Sequence, residues 1–432
     1  MVFMRSILTT VILIFFCAIP TKTTAQDLDY AKFVVKTLSS SEYYGRGYTF
    51  DADKKAASFI KDEFIKHGVE PIDGEFYQNF EVSINSFPST VELNLNDKEL
   101  TPGIDYLVEP GSPTINGSFE IHSIYFNDLV SQQDMIEAIK ASVNKFIYLP
   151  ELNKDNTSKE NTDLLNGFIQ FIKRNPNLPV KGFIYHSNGK LTWRPSSILD
   201  EKAGIILSDE IEIEPNSQIK LHIEQEYTLN YPTQNVMGRV KGMSSDSTIV
   251  LMAHYDHLGT IGKETIFYGA NDNSSGVAML LTMAKHFGTN PPPFDIVLIA
   301  FGAEELGLMG SRYFVQNPTI ELSNIKFYLN FDLAGTGDEG VQVVNGSVFK
   351  NKFDLLTELN ANQNLLPQVK IRGKACNSDH CFFDEAGVPG FYIYTLGGIK
   401  AYHDIHDKFE TLPFTEFEDY SKLMIQFIES FK

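Results

Sequence analysis

Residues 248–257 read TIVLMAHYDH, an apolar run from Ile249 to Ala253 that stops at three potential ligands, His254, Asp256 and His257. A strand with one wet face alternates polar and apolar residues, so an unbroken apolar run describes a strand covered on both faces. The pattern recurs downstream. FDIVLIAFG (294–302), IKFYLNFD (325–332) and VPGFYIYT (388–395) read as strands. GVAMLLTMAKHF (276–287), LGLMGSRYFVQ (306–316) and FEDYSKLMIQFIESF (417–431) read as helices. Strands alternating with helices predict an α/β domain whose central sheet is mixed but largely parallel, with helices on both faces.

Potential ligands fall at the ends of these strands, where α/β sheets place their sites. They are His254 and Asp256 in AHYDHLG, Asp272 in GANDNSSG, Glu304 and Glu305 in FGAEELGLMGS, Asp332 in LNFDLAG and His403 in YHDIHDKF. Each has a plain reading: Asn, Asp, Ser and Gly suit turns, and an acidic pair suits the first turn of a helix. Joint occurrence at strand ends of one coherent region favours a metal site, because imidazole and carboxylate are the ligands of catalytic zinc.

Upstream, DADKKAASFIKDEFIKHGVEP (51–71) predicts an amphipathic helix ended by Gly68. Between about Ser86 and Tyr227 the pattern changes to short alternating runs such as VELNLN and SFEIHSIYF, with one helix in DLLNGFIQFIKRN and one buried strand in KGFIYHS. Residues 86–227 are therefore expected to be an inserted, strand-rich mixed α/β domain, flanked by catalytic segments 26–85 and 228–432.

The 432 residues are 43% hydrophobic and 21% charged, an ordinary globular composition with room for two domains. Residues 1–25 differ. Arg5 precedes the apolar run Ile7–Ile19, and Thr23-Thr24-Ala25 supplies the small residues of a signal-peptidase site, so export and a mature start at Gln26 are expected. The run is shorter than the roughly 20 residues that span a bilayer, which argues against a stable membrane anchor. Without Arg5 and Lys22 the formal charge of −19 becomes about −21, an excess that disfavours nucleic acid and anionic membranes as partners. Cys376 and Cys381 are close enough in sequence for a local disulfide, which an oxidising compartment permits.

In order and local sequence, the five ligand segments resemble the co-catalytic zinc aminopeptidase family, whose superfamily includes glutaminyl cyclases and glutamate carboxypeptidases. SDHCFFDEAGVPGF (378–391) resembles its late loop and strand, YYGRGYTFDADKKAASFIKDEFIKHGVEP (43–71) its N-terminal stretch, and NVMGRVKG (235–242) its lead into the catalytic strand. The inserted portion matches less well, though its position is that of the protease-associated domain of some members.

The resemblance implies a zinc aminopeptidase-like fold and two zinc ions per chain. Asp272 would bridge them, His254 and Asp332 completing one site, Glu305 and His403 the other. Glu304 would be the general base, and Asp256 would accept the second ring N–H of His254. Asp379, His380 and Tyr402 would contact the peptide substrate, whereas His257 and His406 match no ligand position. A glutaminyl cyclase, a carboxypeptidase and a metal-free binding ectodomain are the alternatives.

Overall fold

The computed structural model describes residues 25–125, 129, 131–152, 158–243 and 247–431. Apart from Ala25, the leader expected over residues 1–25 lies outside them. No helix of the described residues is long and apolar enough to cross a membrane.

A mixed eight-stranded sheet carries the strands on which the ligand candidates His254 and Asp332 lie. Four parallel strands occupy its middle, in the order Asp295–Phe301, Thr248–His254, Ile325–Asp332, Gly390–Thr395. Strands antiparallel to their central neighbours flank them: Glu226–Val240, paired with Tyr77–Ser86, on one side, and Val341–Val344, itself parallel to Val369–Ile371, on the other. The predicted sheet is thus observed, parallel through its centre and again in the pair Val341–Val344 with Val369–Ile371 at one edge.

Both faces are covered, as the apolar runs require. Ile249, Leu251 and Ala253 face a core built with helices Ala25–Leu38, Ala52–Lys66, Gly276–Thr289 and Phe417–Glu429. Val250 and Met252 face Phe314 and Phe383, from helices Met309–Gln316 and His380–Glu385. Burying these side chains from water is the main favourable term, at about 1.5–3 kcal/mol for each large one. Helix Met309–Gln316 is shorter than the periodicity of 306–316 predicted. Leu306 and Gly307 belong instead to the turn that follows Glu304 and Glu305. Strands Val341–Val344 and Val369–Ile371 and helix Lys350–Gln363 had no clear sequence signal.

A second sheet of eight strands has all its strands between Val91 and Ile223, with Gln132–Ala141 and Lys159–Arg174 as its helices. Leu165, Phe168, Ile169 and Ile172 of the latter pack on Ile147, Leu149 and Phe183 of the sheet. Two connections join the sheets. The long ribbon pairing Tyr77–Ser86 with Glu226–Val240 carries the chain out and back, and Leu258, Ile261 and Phe267 enter the second sheet's core.

Candidate metal centre

The register of the parallel strands brings the ligand candidates to one edge. His254 lies opposite Phe301 and Asp332 opposite Tyr394, so the strand ends are level and Glu304 and Glu305 follow directly. This edge is also a switch point. From the His254 strand the chain passes through Gly276–Thr289 to a strand on one side, then returns through Met309–Gln316 to Ile325–Asp332 on the other. Crossovers that diverge this way open a crevice at the carboxyl ends of the strands. Ala303, Leu333 and His403 all have left-handed φ, at 59°, 48° and 53°. For non-glycine residues that conformation costs energy and clusters at functional sites, and here it turns the chain sharply beside Glu304, Asp332 and at His403 itself.

Asp272 occupies the middle of the site. Its Oδ1 is 3.4 Å from His254 Nε2, which is 3.5 Å from Asp332 Oδ1. Its Oδ2 is 3.1 Å from His403 Nε2, which is 3.3 Å from Glu305 Oε2. One carboxylate therefore faces two separate imidazole–carboxylate pairs. Glu304 lies beside them, its carboxylate within 4.8 Å of the ligand atoms of His254 and Glu305.

The electrostatics are those of crowded carboxylates. Burial and the neighbouring Asp272 push Glu305 up to about 8. Burial drives Glu304 well above the usual carboxylate range against the pull of His254, with Glu305 and Asp379 adding to it. At His403 burial favours the neutral ring, but Glu305 and Asp272 prevail and raise it to about 9. Asp272 is held well below its ordinary value because hydrogen bonds from His254 and His403 outweigh burial. Asp332 Oδ1 is buried with no hydrogen-bond partner among the described residues. Carboxylates gathered this closely, with an orphaned oxygen and two imidazoles, fit divalent cations with borderline-soft, zinc-like preference.

Supporting groups differ from expectation at Asp256. His254 Nδ1 meets the backbone carbonyl of Asp256 at 3.2 Å, whereas the Asp256 carboxylate is 3.8 Å away. That carboxylate instead accepts the backbone N–H of Glu304 at 3.0 Å and of Glu305 at 3.2 Å, plus the Tyr48 hydroxyl at 3.2 Å. The reason is directional: a side chain two residues along points past the histidine ring and under the Glu304–Glu305 turn. Asp407 plays the matching part for the bridging position, accepting the N–H of Asn271 at 2.8 Å and of Asp272 at 2.9 Å. Although Asp407 lies within the YHDIHDKF stretch, nothing local distinguishes it from a solvated acid.

His257, matched to no ligand position, sits in the site with Nδ1 2.9 Å from Glu305 Oε1, opposite the oxygen that faces His403. Burial keeps it neutral, and in the tautomer protonated at Nδ1 it donates to the Glu305 carboxylate and fixes its rotation. His406 contributes its backbone N–H to Asp404. Ser378 and Tyr392 hydroxyls reach Asp332 Oδ2 at 3.2 and 3.3 Å. Arg46, fully buried, donates to five backbone carbonyls, those of Leu38, Tyr255, Tyr268, Gly269 and Asp272.

A cavity of about 680 Å³ opens over the centre, floored by His254, Asp272, Glu304, Glu305, Asp332 and His403. Tyr402 lines it and stacks on His403 with ring centroids 4.1 Å apart. Asp379 and His380, expected as substrate contacts, are buried and do not line it. They begin helix His380–Glu385, where His380 Nε2 meets the Ala375 carbonyl at 2.8 Å and the ring stacks on Tyr392. Cys376 and Cys381 form a disulfide around this turn.

Residues 235–428 match the model of peptidase family M28. Over 216 residues the chain is 28% identical to aminopeptidase YwaD of Bacillus subtilis, covering 48% of this chain and 46% of that protein. It is 37% identical over 188 residues to a probable lipoprotein aminopeptidase, LpqL, of Mycobacterium tuberculosis, covering 40% and 36%. The aligned segments thus span less than half of these relatives. The structure of BSAP, a zinc aminopeptidase from Bacillus subtilis, superposes with a TM-score of 0.68 at 19% identity, covering 93% of each chain, so the fold is shared through both sheets.

Proposed function

We propose, from the match of residues 235–428 to the model of peptidase family M28, that the chain is an exported zinc aminopeptidase that removes N-terminal residues from peptides at a two-metal centre. The observation that carries this reading is Asp272, whose two oxygens face His254 with Asp332 and His403 with Glu305. In this reading His254, Asp272 and Asp332 would hold one zinc ion, and Asp272, Glu305 and His403 the other. The names of the two curated relatives support the choice of the amino terminus, and the sequence of residues 1–25 supports export.

Zinc in such a site supplies Lewis acidity to the scissile carbonyl and brings the pKa of water toward neutrality. The chain's own groups do the rest. Glu304, next to the ligand pair and with no hydrogen bond to its carboxylate among the described residues, takes the proton of the attacking water and passes it to the leaving amine. Its burial favours holding that proton between the two transfers. Asp256 fixes the Glu304 backbone and His257 the rotation of Glu305, so base and ligand stay in register.

Glu304→Gln keeps the shape and removes the base. The expected result is unchanged zinc content with turnover reduced by about 10²–10⁴-fold. Near wild-type hydrolysis by that variant would overturn the role. Peptides blocked at either terminus, and one bearing N-terminal glutamine, assayed after chelation and again after zinc restoration, test metal dependence, direction and cyclisation together.

A further inference from the structure

The second sheet supplies the cavity's roof, and its charges do not cancel. Glu109, Lys173, Arg174, Arg194 and Asp200 all line the space above the metal centre. Lys173 lies 2.6 Å from Glu109 and 3.9 Å from Asp200, and Arg174 Nε is 3.7 Å from Asp200. Glu109's second oxygen takes the Tyr185 hydroxyl at 2.5 Å. These two acids and two bases neutralise one another. Arg194 has no hydrogen bond or ion pair among the described residues. On the floor, the four carboxylates Asp272, Glu304, Glu305 and Asp332 would be offset by two divalent cations, which leaves Arg194 as the uncompensated charge of the loaded cavity.

The segment that carries it is held firmly. Trp193 is buried, donates its indole N–H to the Val108 carbonyl at 2.8 Å and stacks on Phe267. The Trp193 backbone N–H donates to the carbonyl of His403 at 2.9 Å, which ties this segment to a ligand candidate. Arg194 also lines an adjoining cavity of about 410 Å³ that His403 borders as well. A guanidinium carried at such a junction on an anchored segment, itself exposed and unpaired, is suited to a planar anion taken by two parallel hydrogen bonds.

Resting on the peptidase reading above, we propose that Arg194 binds a carboxylate of the substrate on the leaving-group side. The enzyme is then selective for peptides that bring a carboxylate close to the scissile bond. Two sources offer that group: the free C-terminus of a di- or tripeptide, or an acidic side chain just after the bond cleaved.

Three peptides of one neutral tripeptide sequence separate these sources: the free acid, its C-terminal amide, and the amide with glutamate after the scissile bond. Ratios of kcat/KM between carboxylate-bearing and neutral peptides are taken within each zinc-loaded preparation, so partial misfolding cancels. The wild type is expected to favour at least one carboxylate-bearing peptide by about tenfold or more, and Arg194→Gln to bring that ratio near one. Arg194→Lys should recover part of it. Equal rates on all three by the wild type, or a ratio unchanged in Arg194→Gln, would overturn the proposal. Binding of the same peptides to Glu304→Gln protein with and without Arg194→Gln, by calorimetry, reads the discrimination without turnover. Failure of the peptidase reading, seen as no hydrolysis of any peptide, is thereby kept distinct from failure at Arg194.

Discussion

Asp53 shows what one buried acid contributes beyond the reaction. It lies in helix Ala52–Lys66, fully buried, and accepts hydroxyls from Tyr231 at 2.8 Å and Thr233 at 2.9 Å. Burial raises it to about 6 despite these hydrogen bonds, from an ordinary 3.8. A carboxyl raised on folding stabilises fully below its unfolded value, and that contribution is lost as pH rises through about 6. The loss amounts to roughly 3 kcal/mol at most, at 1.36 kcal/mol per unit. Asp53→Asn should therefore gain on the wild type by about 2–3 kcal/mol between pH 4 and pH 8 in urea unfolding of the metal-free protein. A pH-independent difference would refute the assignment. The strand-end ligand candidates were legible because few residue types serve as ligands and the motifs isolate them. Arg46 and Asp53 were not, since a charge read from a sequence is by default a solvated one. Only the fold reveals that five carbonyls converge on Arg46.

At the scale of elements, the parallel strands were the legible part, because burial on both faces erases alternation and leaves an apolar run. The short edge strands Val341–Val344 and Val369–Ile371 lacked the length for any period to emerge. The 400–407 segment was legible as a ligand block but not in what holds it. Lys190, from beyond the second sheet's strand Gly182–His186, donates to the carbonyls of Lys400 and Tyr402, both at 2.8 Å, and to Asp404 at 2.9 Å. His403 sits within this clasp in a left-handed conformation that its own sequence does not favour. If the centre holds two zinc ions as proposed, Lys190→Met should relax the segment and weaken the site that includes His403 by about 10–100-fold, the range for lost outer partners of a metal ligand. Titration against a competing chelator would show it as two separated affinities where the wild type has closer ones. Equal weakening of both sites would place the effect elsewhere.

The whole molecule couples a rigid sheet edge to a roof contributed by distant sequence. The composition shift near residues 86 and 227 marks where the chain leaves and rejoins the central sheet, but not the ribbon Tyr77–Ser86 with Glu226–Val240 that bears the junction. Ribbon pairing is non-local, so no window of sequence contains both partners. The same long-range wiring sets how metal loss should spread. The ligand candidates come from strand ends that other packing holds, His254 and Asp332, and from turns that close on them, Asp272, Glu305 and His403. Without cations to offset them, the crowded carboxylates repel one another, and the turns yield before the buried strands do. Chelation should therefore lower Tm and raise amide hydrogen exchange in residues 269–275, 303–308 and 400–407. The change should continue into 190–194, because Trp193 donates to His403 and Lys190 clasps its neighbours. Strands Ala203–Leu207 and Gln218–Ile223, which share a core with the roof but touch no ligand candidate, should keep their protection. Uniform loss across both sheets would mean that the metals hold the global fold, and no loss at 190–194 would mean that the roof and the centre move independently.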